Sequence, residues 1–78
     1  MKLPRGVSAD QLIRILAQLG YTVIRQKGSH LRLLHPGPPA HLITVPNHNP
    51  LKTGTLHGIL AEVASARSMS VERILELF

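Results

Sequence analysis

The chain has 78 residues, the size of one small domain, and it has no cysteine for a disulfide framework or a thiolate metal site. Its formal net charge is +5, and lysine and arginine carry all the formal charge between residues 11 and 61. This balance favours an anionic partner, namely nucleic acid, an acidic protein or a membrane surface. No window approaches the ~20 apolar residues of a membrane span. We therefore expect a soluble cytoplasmic protein, with residues 1–78 forming one domain and no membrane association.

The first predicted element is a helix over residues 9–19. Ser8 and Gln11 have the spacing of a capping box, in which the serine caps the helix. One apolar helix face is formed by Leu12, Ile15, Leu16 and Leu19. Gly20 follows at the position where glycine commonly ends a helix.

A meander of strands follows this helix. The strands are predicted at residues 21–26, 30–35 and 41–45, joined by a tight turn at 27–29 and a proline-rich loop at 36–39. In the second strand, Leu31 and Leu33 share one face, while His30 and Arg32 share the other. Connections this short predict antiparallel pairing.

Helices close the chain. Thr53 is predicted to cap a second helix, and Ser70 a short final one. The apolar face of the second helix holds Leu56, Ile59, Leu60 and Val63. The order α-β-β-β-α with a helical extension predicts a two-layer α+β domain, with its helices on one face of an antiparallel sheet.

The chain has five histidines, at positions 30, 35, 41, 48 and 57, which raises the question of a metal site. No two have the i, i+4 spacing of a helical metal motif, and no cysteine or nearby carboxylate completes a ligand set. The carboxylates all lie on predicted helices, which disfavours Mg²⁺-dependent phosphoryl chemistry. We expect no metal and no other cofactor, and we interpret His35, His41 and His57 as surface or strand-end residues.

Acid–base chemistry by histidine needs no metal. An imidazole titrates near neutral pH and can accept a proton, and RNA carries its own nucleophile, the 2′-hydroxyl. His30 is the candidate base, with His48 as a guess for the acid. Lys27, Arg32 and Lys52 are candidate cations for the charge that develops on phosphate. The alternative is that His30 merely caps the preceding turn.

The segment Lys52-Thr53-Gly54-Thr55 lies at the start of the second predicted helix. Lys52 adds a cation to a helix end that is already partly positive, which favours an anion bound there. Thr53, Gly54 and Thr55 would offer amides and hydroxyls to a phosphate. The alternative is a solvated Lys52 and a Thr53 that only caps the helix.

Three function classes remain open from these residues. A metal-independent ribonuclease needs His30, whereas a non-catalytic RNA-binding module needs only the cations. A structural subunit that binds only a protein partner predicts no RNA affinity that weakens with salt.

A pair of motifs carries a family resemblance. The first motif is Gly28-Ser29-His30, and the second comprises Val45-Pro46-Asn47-His48 and Leu51-Lys52-Thr53-Gly54-Thr55-Leu56. Together they resemble the HicA family of small mRNA interferase toxins. The resemblance covers nearly the whole chain and implies a fold similar to the double-stranded-RNA-binding domain. It implies a metal-independent endoribonuclease that cleaves mRNA and inhibits translation and growth, with His30 essential. It also implies a HicB-type antitoxin that covers the active surface.

Together, residues and resemblance predict catalysis at His30 and RNA binding around the motifs, by Arg25, Lys27, Gly28, Ser29, Arg32, His48, Lys52, Thr53 and Thr55. We expect the free protein to be monomeric. Sequence selectivity should be low, because Tyr21 is the only aromatic residue in a predicted strand. Residues 64–69 make the connection to the last helix longer than the common family pattern, which concerns C-terminal packing.

Overall fold

The predicted α+β architecture is confirmed in a computed structural model that describes residues 3–78. The first two residues of the chain lie outside the described residues. In chain order the elements are α1 (Ala9–Gln18), β1 (Thr22–Lys27), β2 (His30–His35), β3 (His41–Pro46), α2 (Thr53–Ala66) and α3 (Val71–Leu75). The strands form one antiparallel sheet in the order β1-β2-β3. None of the helices within residues 3–78 combines the length and apolarity needed to span a bilayer.

Helix α1 begins and ends close to the predicted positions. The Gln11 N–H donates to Ser8 Oγ at 3.1 Å, which satisfies one of the free donors at the helix start. Leu19 is the C-cap residue rather than a helical one, and Gly20 adopts a φ of +100°, a conformation that glycine tolerates best. The predicted apolar face packs into the core, with Leu19 only half-buried at its end.

The start of helix α2 differs from the prediction. Lys52 is the N-cap residue and makes no side-chain capping hydrogen bond, whereas Thr53 is already the first helical residue. The predicted cap at Thr53 is therefore wrong by one position. The cap of α3 is as predicted, since the Arg73 N–H donates to Ser70 Oγ at 3.2 Å.

The core lies between one face of the sheet and the helices. The inward positions of β2 and β3 are buried, with Leu33 and Val45 fully enclosed. They meet the buried faces of α1 and α2, and Ile74 of α3 completes the core. The alternation predicted for β2 is confirmed, because His30 and Arg32 are exposed on the opposite face. That face and the whole of β1 are open to solvent.

The end of the sheet away from His30 holds a polar cluster that the sequence did not predict. Tyr21 precedes β1 and is buried, so it is not the strand aromatic that was expected. Its hydroxyl lies 2.6 Å from His41 Nδ1, and His41 Nε2 lies 2.8 Å from Glu62 Oε2. Burial raises the pKa of the Tyr21 hydroxyl above its ordinary 10.0, and the positive charge of Arg67 opposes part of that rise.

His35 joins this cluster from the end of β2. The Gly37 N–H donates to His35 Nδ1 at 2.9 Å, and Arg67 Nη1 lies 2.7 Å from the same nitrogen. Arg67 Nη2 also donates to the Pro39 carbonyl oxygen. His35 and His41 are strand-end residues, as expected, but neither is a solvated surface side chain, because both are half-buried and hydrogen-bonded. His57 is exposed, as expected.

Candidate nucleic-acid interface

A two-residue turn places His30 at the start of β2. Lys27 and His30 form the last pair of the β1–β2 hairpin, and Gly28-Ser29 makes the turn between them. Gly28 has a φ of +58°. A positive φ at the first turn residue favours glycine and matches the twist of a tight hairpin. The Asn47 N–H donates to the Ser29 carbonyl oxygen at 2.6 Å and ties the loop after β3 to this turn.

The register of the β1–β2 hairpin decides which side chains accompany His30. Arg25 pairs with Arg32 and Lys27 pairs with His30, but the register shifts between Val23 and Arg25. Directly paired residues point to the same face of an antiparallel sheet. The hairpin register therefore places Arg25 and Lys27 on the exposed face with His30, and the bulge gives Val23 the opposite facing, toward the core residue Leu33.

These side chains surround an open depression on the exposed sheet face. Its lining residues are Arg25, Lys27, Gly28, Ser29, His30, Arg32 and Thr44. Arginine and lysine supply its formal charge, and no acidic residue lines it. The structure therefore brings the predicted base together with most of the predicted binding residues of the first motif.

Thr44 is the lining residue that sequence reasoning missed. It pairs with Arg32 across the β2–β3 ladder, and Arg32 Nη1 donates to Thr44 Oγ1 at 3.4 Å. A threonine in an apolar strand carries no signal of its own. The register of a meander could have revealed it, because Thr44 stands opposite an exposed arginine.

The remaining predicted residues lie elsewhere. His48, Lys52, Thr53 and Thr55 do not line the depression beside His30. Lys52 and Thr53 border a separate depression with residues 3–6. The loop that carries His48 packs against the start of α1, because the Ala9 N–H donates to the His48 carbonyl oxygen at 3.0 Å. The predicted site is thus divided between the sheet face and the start of α2.

No metal centre was expected here. Among residues 3–78 there is no group of three or more histidine, cysteine, aspartate or glutamate side chains placed to hold an ion. The five histidines are spread over the molecule, with His30 and His35 at opposite ends of one six-residue strand. A strand of that length spans ~17 Å.

Comparison with known proteins identifies the family. The family model described as "HicA toxin of bacterial toxin-antitoxin" matches residues 9–64, from the start of α1 to near the end of α2. This range contains both motifs and stops before Arg67. No curated protein and no solved structure matches the chain. Because the family model covers more than half of its length, the chain belongs to the HicA family of toxins of bacterial toxin–antitoxin systems.

Proposed function

We propose that this HicA-family protein is an endoribonuclease in which His30 accepts the proton of an RNA 2′-hydroxyl. One observation carries the proposal: His30 shares an open depression with Arg25, Lys27 and Arg32, and no acidic residue lines it. Such a surface attracts a polyanion and holds an imidazole against it.

The proposed reaction is an internal transfer within the RNA. His30 removes the 2′-hydroxyl proton, and the resulting oxygen attacks the adjacent phosphorus. The bond from phosphorus to the 5′-oxygen of the next nucleotide breaks, leaving a 2′,3′-cyclic phosphate and a 5′-hydroxyl. The ammonium group of Lys27, which pairs with His30 across the hairpin, stabilises the negative charge that develops on the cleaved phosphate. Because RNA supplies the nucleophile, this mechanism requires no metal-bound water.

The leaving 5′-oxygen needs a proton, and we propose His48 as the candidate acid. His48 follows Asn47, whose N–H donates to the Ser29 carbonyl oxygen in the turn before His30. This hydrogen bond restrains the loop next to the proposed base. His48 is exposed, so an RNA strand that crosses the turn can reach it.

The start of α2 is proposed as a second contact with the RNA backbone. Lys52 is exposed at the N-cap position, and no acidic residue occupies the first turn of the helix. Free backbone N–H groups and a lysine at one helix end favour phosphate. Thr53 and Thr55 would add hydroxyl donors there.

The biological consequence follows from membership of a toxin family. We propose that the protein cleaves mRNA, so that translation and growth stop. A HicB-type antitoxin would restrain it by covering the face that carries His30. An acidic partner surface would match the cations of that face.

The proposal is tested by RNA cleavage in the presence of EDTA. His30→Ala is compared with wild type and with His57→Ala, which removes an exposed histidine that has no role in the mechanism. We expect His30→Ala to lose at least about 100-fold in rate while RNA binding changes little, because loss of a general base costs roughly 10² to 10⁴. His57→Ala should cleave like wild type.

Two results would overturn the proposal. Equal cleavage by wild type and His30→Ala would remove the catalytic role of His30. Salt-dependent binding by wild type without any cleavage would favour the alternative, a non-catalytic RNA-binding module.

A further inference from the structure

Two arginines stand directly opposite each other on the exposed sheet face. Arg25 of β1 pairs with Arg32 of β2. Like charges in this position destabilise an antiparallel pair. Within residues 3–78, no carboxylate forms an ion pair with either arginine. The free protein therefore keeps an unfavourable contact that a bound anion would relieve.

The tight turn creates this contact. The pairs Lys27–His30 and Arg25–Arg32 belong to one continuous register that starts at the Gly28-Ser29 turn, and the turn fixes the register of a hairpin. The β-bulge interrupts this register between Val23 and Arg25, so Val23 pairs with the core residue Leu33 while Arg25 stays on the exposed face. The hairpin therefore places one cation directly next to another.

Thr44 completes a row across the sheet. It stands opposite Arg32 on the other side, and its Oγ1 accepts a hydrogen bond from Arg32 Nη1 at 3.4 Å. The row Arg25–Arg32–Thr44 thus presents two planar guanidinium groups and a hydroxyl, a set that fits the oxygens of one phosphate. It contains no acceptor-only side chain that would repel an anion.

This row lies beside the row that holds His30. The neighbouring row is Lys27–His30–Pro46. Rows on the same face are two residues apart, which is ~7 Å along a strand. That distance is close to the separation of successive phosphates in a nucleotide chain.

We propose that the row Arg25–Arg32–Thr44 binds the phosphate next to the one that is cleaved at His30. The proposal rests on the proposed ribonuclease function and adds a requirement to it. A substrate with a single phosphate fills only the His30 row, so efficient cleavage needs at least one further phosphate. Thr44 acts as a positioning residue, because it holds the guanidinium of Arg32.

The test measures binding of RNA oligonucleotides that carry one uncharged methylphosphonate linkage, moved one position at a time. The protein is His30→Ala, so that no substrate is consumed. We expect affinity to fall at the linkage that wild type cleaves and at one adjacent linkage. The loss at the adjacent linkage should be about 10-fold or more, the usual size for a charged hydrogen-bonded contact.

Variants on the His30→Ala background then assign the adjacent contact. Adding Arg32→Gln should abolish the effect at the adjacent linkage and keep the effect at the cleaved one. Adding Arg14→Gln, which alters an exposed arginine of the helical layer, should leave both effects unchanged. Thr44→Val should weaken the adjacent contact, whereas Thr44→Ser, which keeps the hydroxyl, should not.

Thermal unfolding tests the same row without RNA. In buffer free of multivalent anions, Arg25→Gln should raise the melting temperature, because it removes the like-charge contact with Arg32. Adding inorganic phosphate should stabilise wild type more than Arg32→Gln.

The outcomes separate this proposal from the function on which it rests. If affinity falls only at the cleaved linkage, the proposed role of the row Arg25–Arg32–Thr44 is overturned and the ribonuclease proposal stays intact. If wild type cleaves nothing but affinity falls at two neighbouring linkages, and Arg32→Gln abolishes only one of these two effects, the row would be supported and the ribonuclease proposal rejected. An unchanged adjacent effect in Arg32→Gln would also overturn the row.

Discussion

Replacing Arg67 with alanine should destabilise the fold without touching the proposed active site. Arg67 lies at the C-cap of α2, where its Nη1 is 2.7 Å from His35 Nδ1 and its Nη2 donates to the Pro39 carbonyl oxygen. Hydrogen bonds to charged groups contribute about 1.5–3 kcal/mol each. The buried Arg67 Nε has no partner, which offsets part of that gain. We therefore expect Arg67→Ala to lower the free energy of unfolding by about 2 kcal/mol.

That loss should be easy to measure in a domain of this size. A change of 1 kcal/mol shifts the melting temperature by roughly 4–8 °C for 60–100 residues, so the expected shift is about 8–16 °C. The assay is thermal and urea unfolding followed by far-ultraviolet circular dichroism. Arg73→Ala is the matched control, because the Arg73 side chain is exposed, and it should change stability by less than about 0.5 kcal/mol. The melting temperature of Arg67→Lys should lie between those of wild type and Arg67→Ala, because an ammonium group cannot reproduce the planar arrangement of donors in the guanidinium group.

The reasoning would be refuted if Arg67→Ala and Arg73→Ala melted within about 2 °C of each other, the shift expected from less than about 0.5 kcal/mol. It would also fail if Arg67→Ala lost RNA cleavage at a temperature where it is fully folded. His30 and His35 occupy opposite ends of β2, so a contact at His35 should not alter the chemistry at His30.

Two further predictions follow from other contacts. Tyr21→Phe should cost about 1 kcal/mol at pH 7, because it removes one hydrogen bond to His41. The pKa of Tyr21 is raised in the folded state. The stability that its hydroxyl contributes is therefore complete below the unfolded-state pKa of 10.0, and it is lost as pH rises through the folded-state pKa. The stability difference between wild type and Tyr21→Phe should therefore narrow above pH 10, and a constant difference up to pH 11 would contradict the burial argument. Lys52→Ala should weaken RNA binding more at low salt than at high salt, and it should reduce the slope of log K against log salt concentration by about 0.7–0.9. Arg14→Ala should leave that slope unchanged. An unchanged slope in Lys52→Ala would show that Lys52 does not contact the RNA backbone.

Local sequence signals were sufficient for the elements and the inner face of the sheet. The Ser8 cap, the alternation of β2 and the apolar face of α2 each depend on residues within a few positions of one another. The Gly28 turn is equally local, and it fixes where His30 stands. These features were predicted because helix and strand periodicity encode them directly.

Features that depend on long-range pairing were missed. The β-bulge before Arg25 appears only when β1 is paired with β2, and Thr44 becomes part of the depression only through the β2–β3 register. His41 was expected to be a surface or strand-end residue, and its hydrogen bonds were missed because its partners, Tyr21 and Glu62, are each about twenty positions away. Patterns in a single sequence do not encode contacts between residues that lie so far apart along the chain.

The error at Thr53 has a different cause. Threonine is a common N-cap residue and lysine is not, so the preference alone selected the wrong position. The structure begins the helix one residue earlier and leaves Lys52 without a side-chain cap.

Cleavage of an RNA with one 2′-deoxy nucleotide tests the central claim most directly. The substitution is placed on the 5′ side of a linkage that wild type cleaves, and cleavage and binding are measured with the same oligonucleotide in EDTA. If His30 acts on the 2′-hydroxyl, cleavage at that linkage should stop, binding should remain, and the unmodified RNA should yield 2′,3′-cyclic phosphate ends. Continued cleavage at the deoxy position would contradict the account, because the proton that His30 is proposed to accept is no longer there.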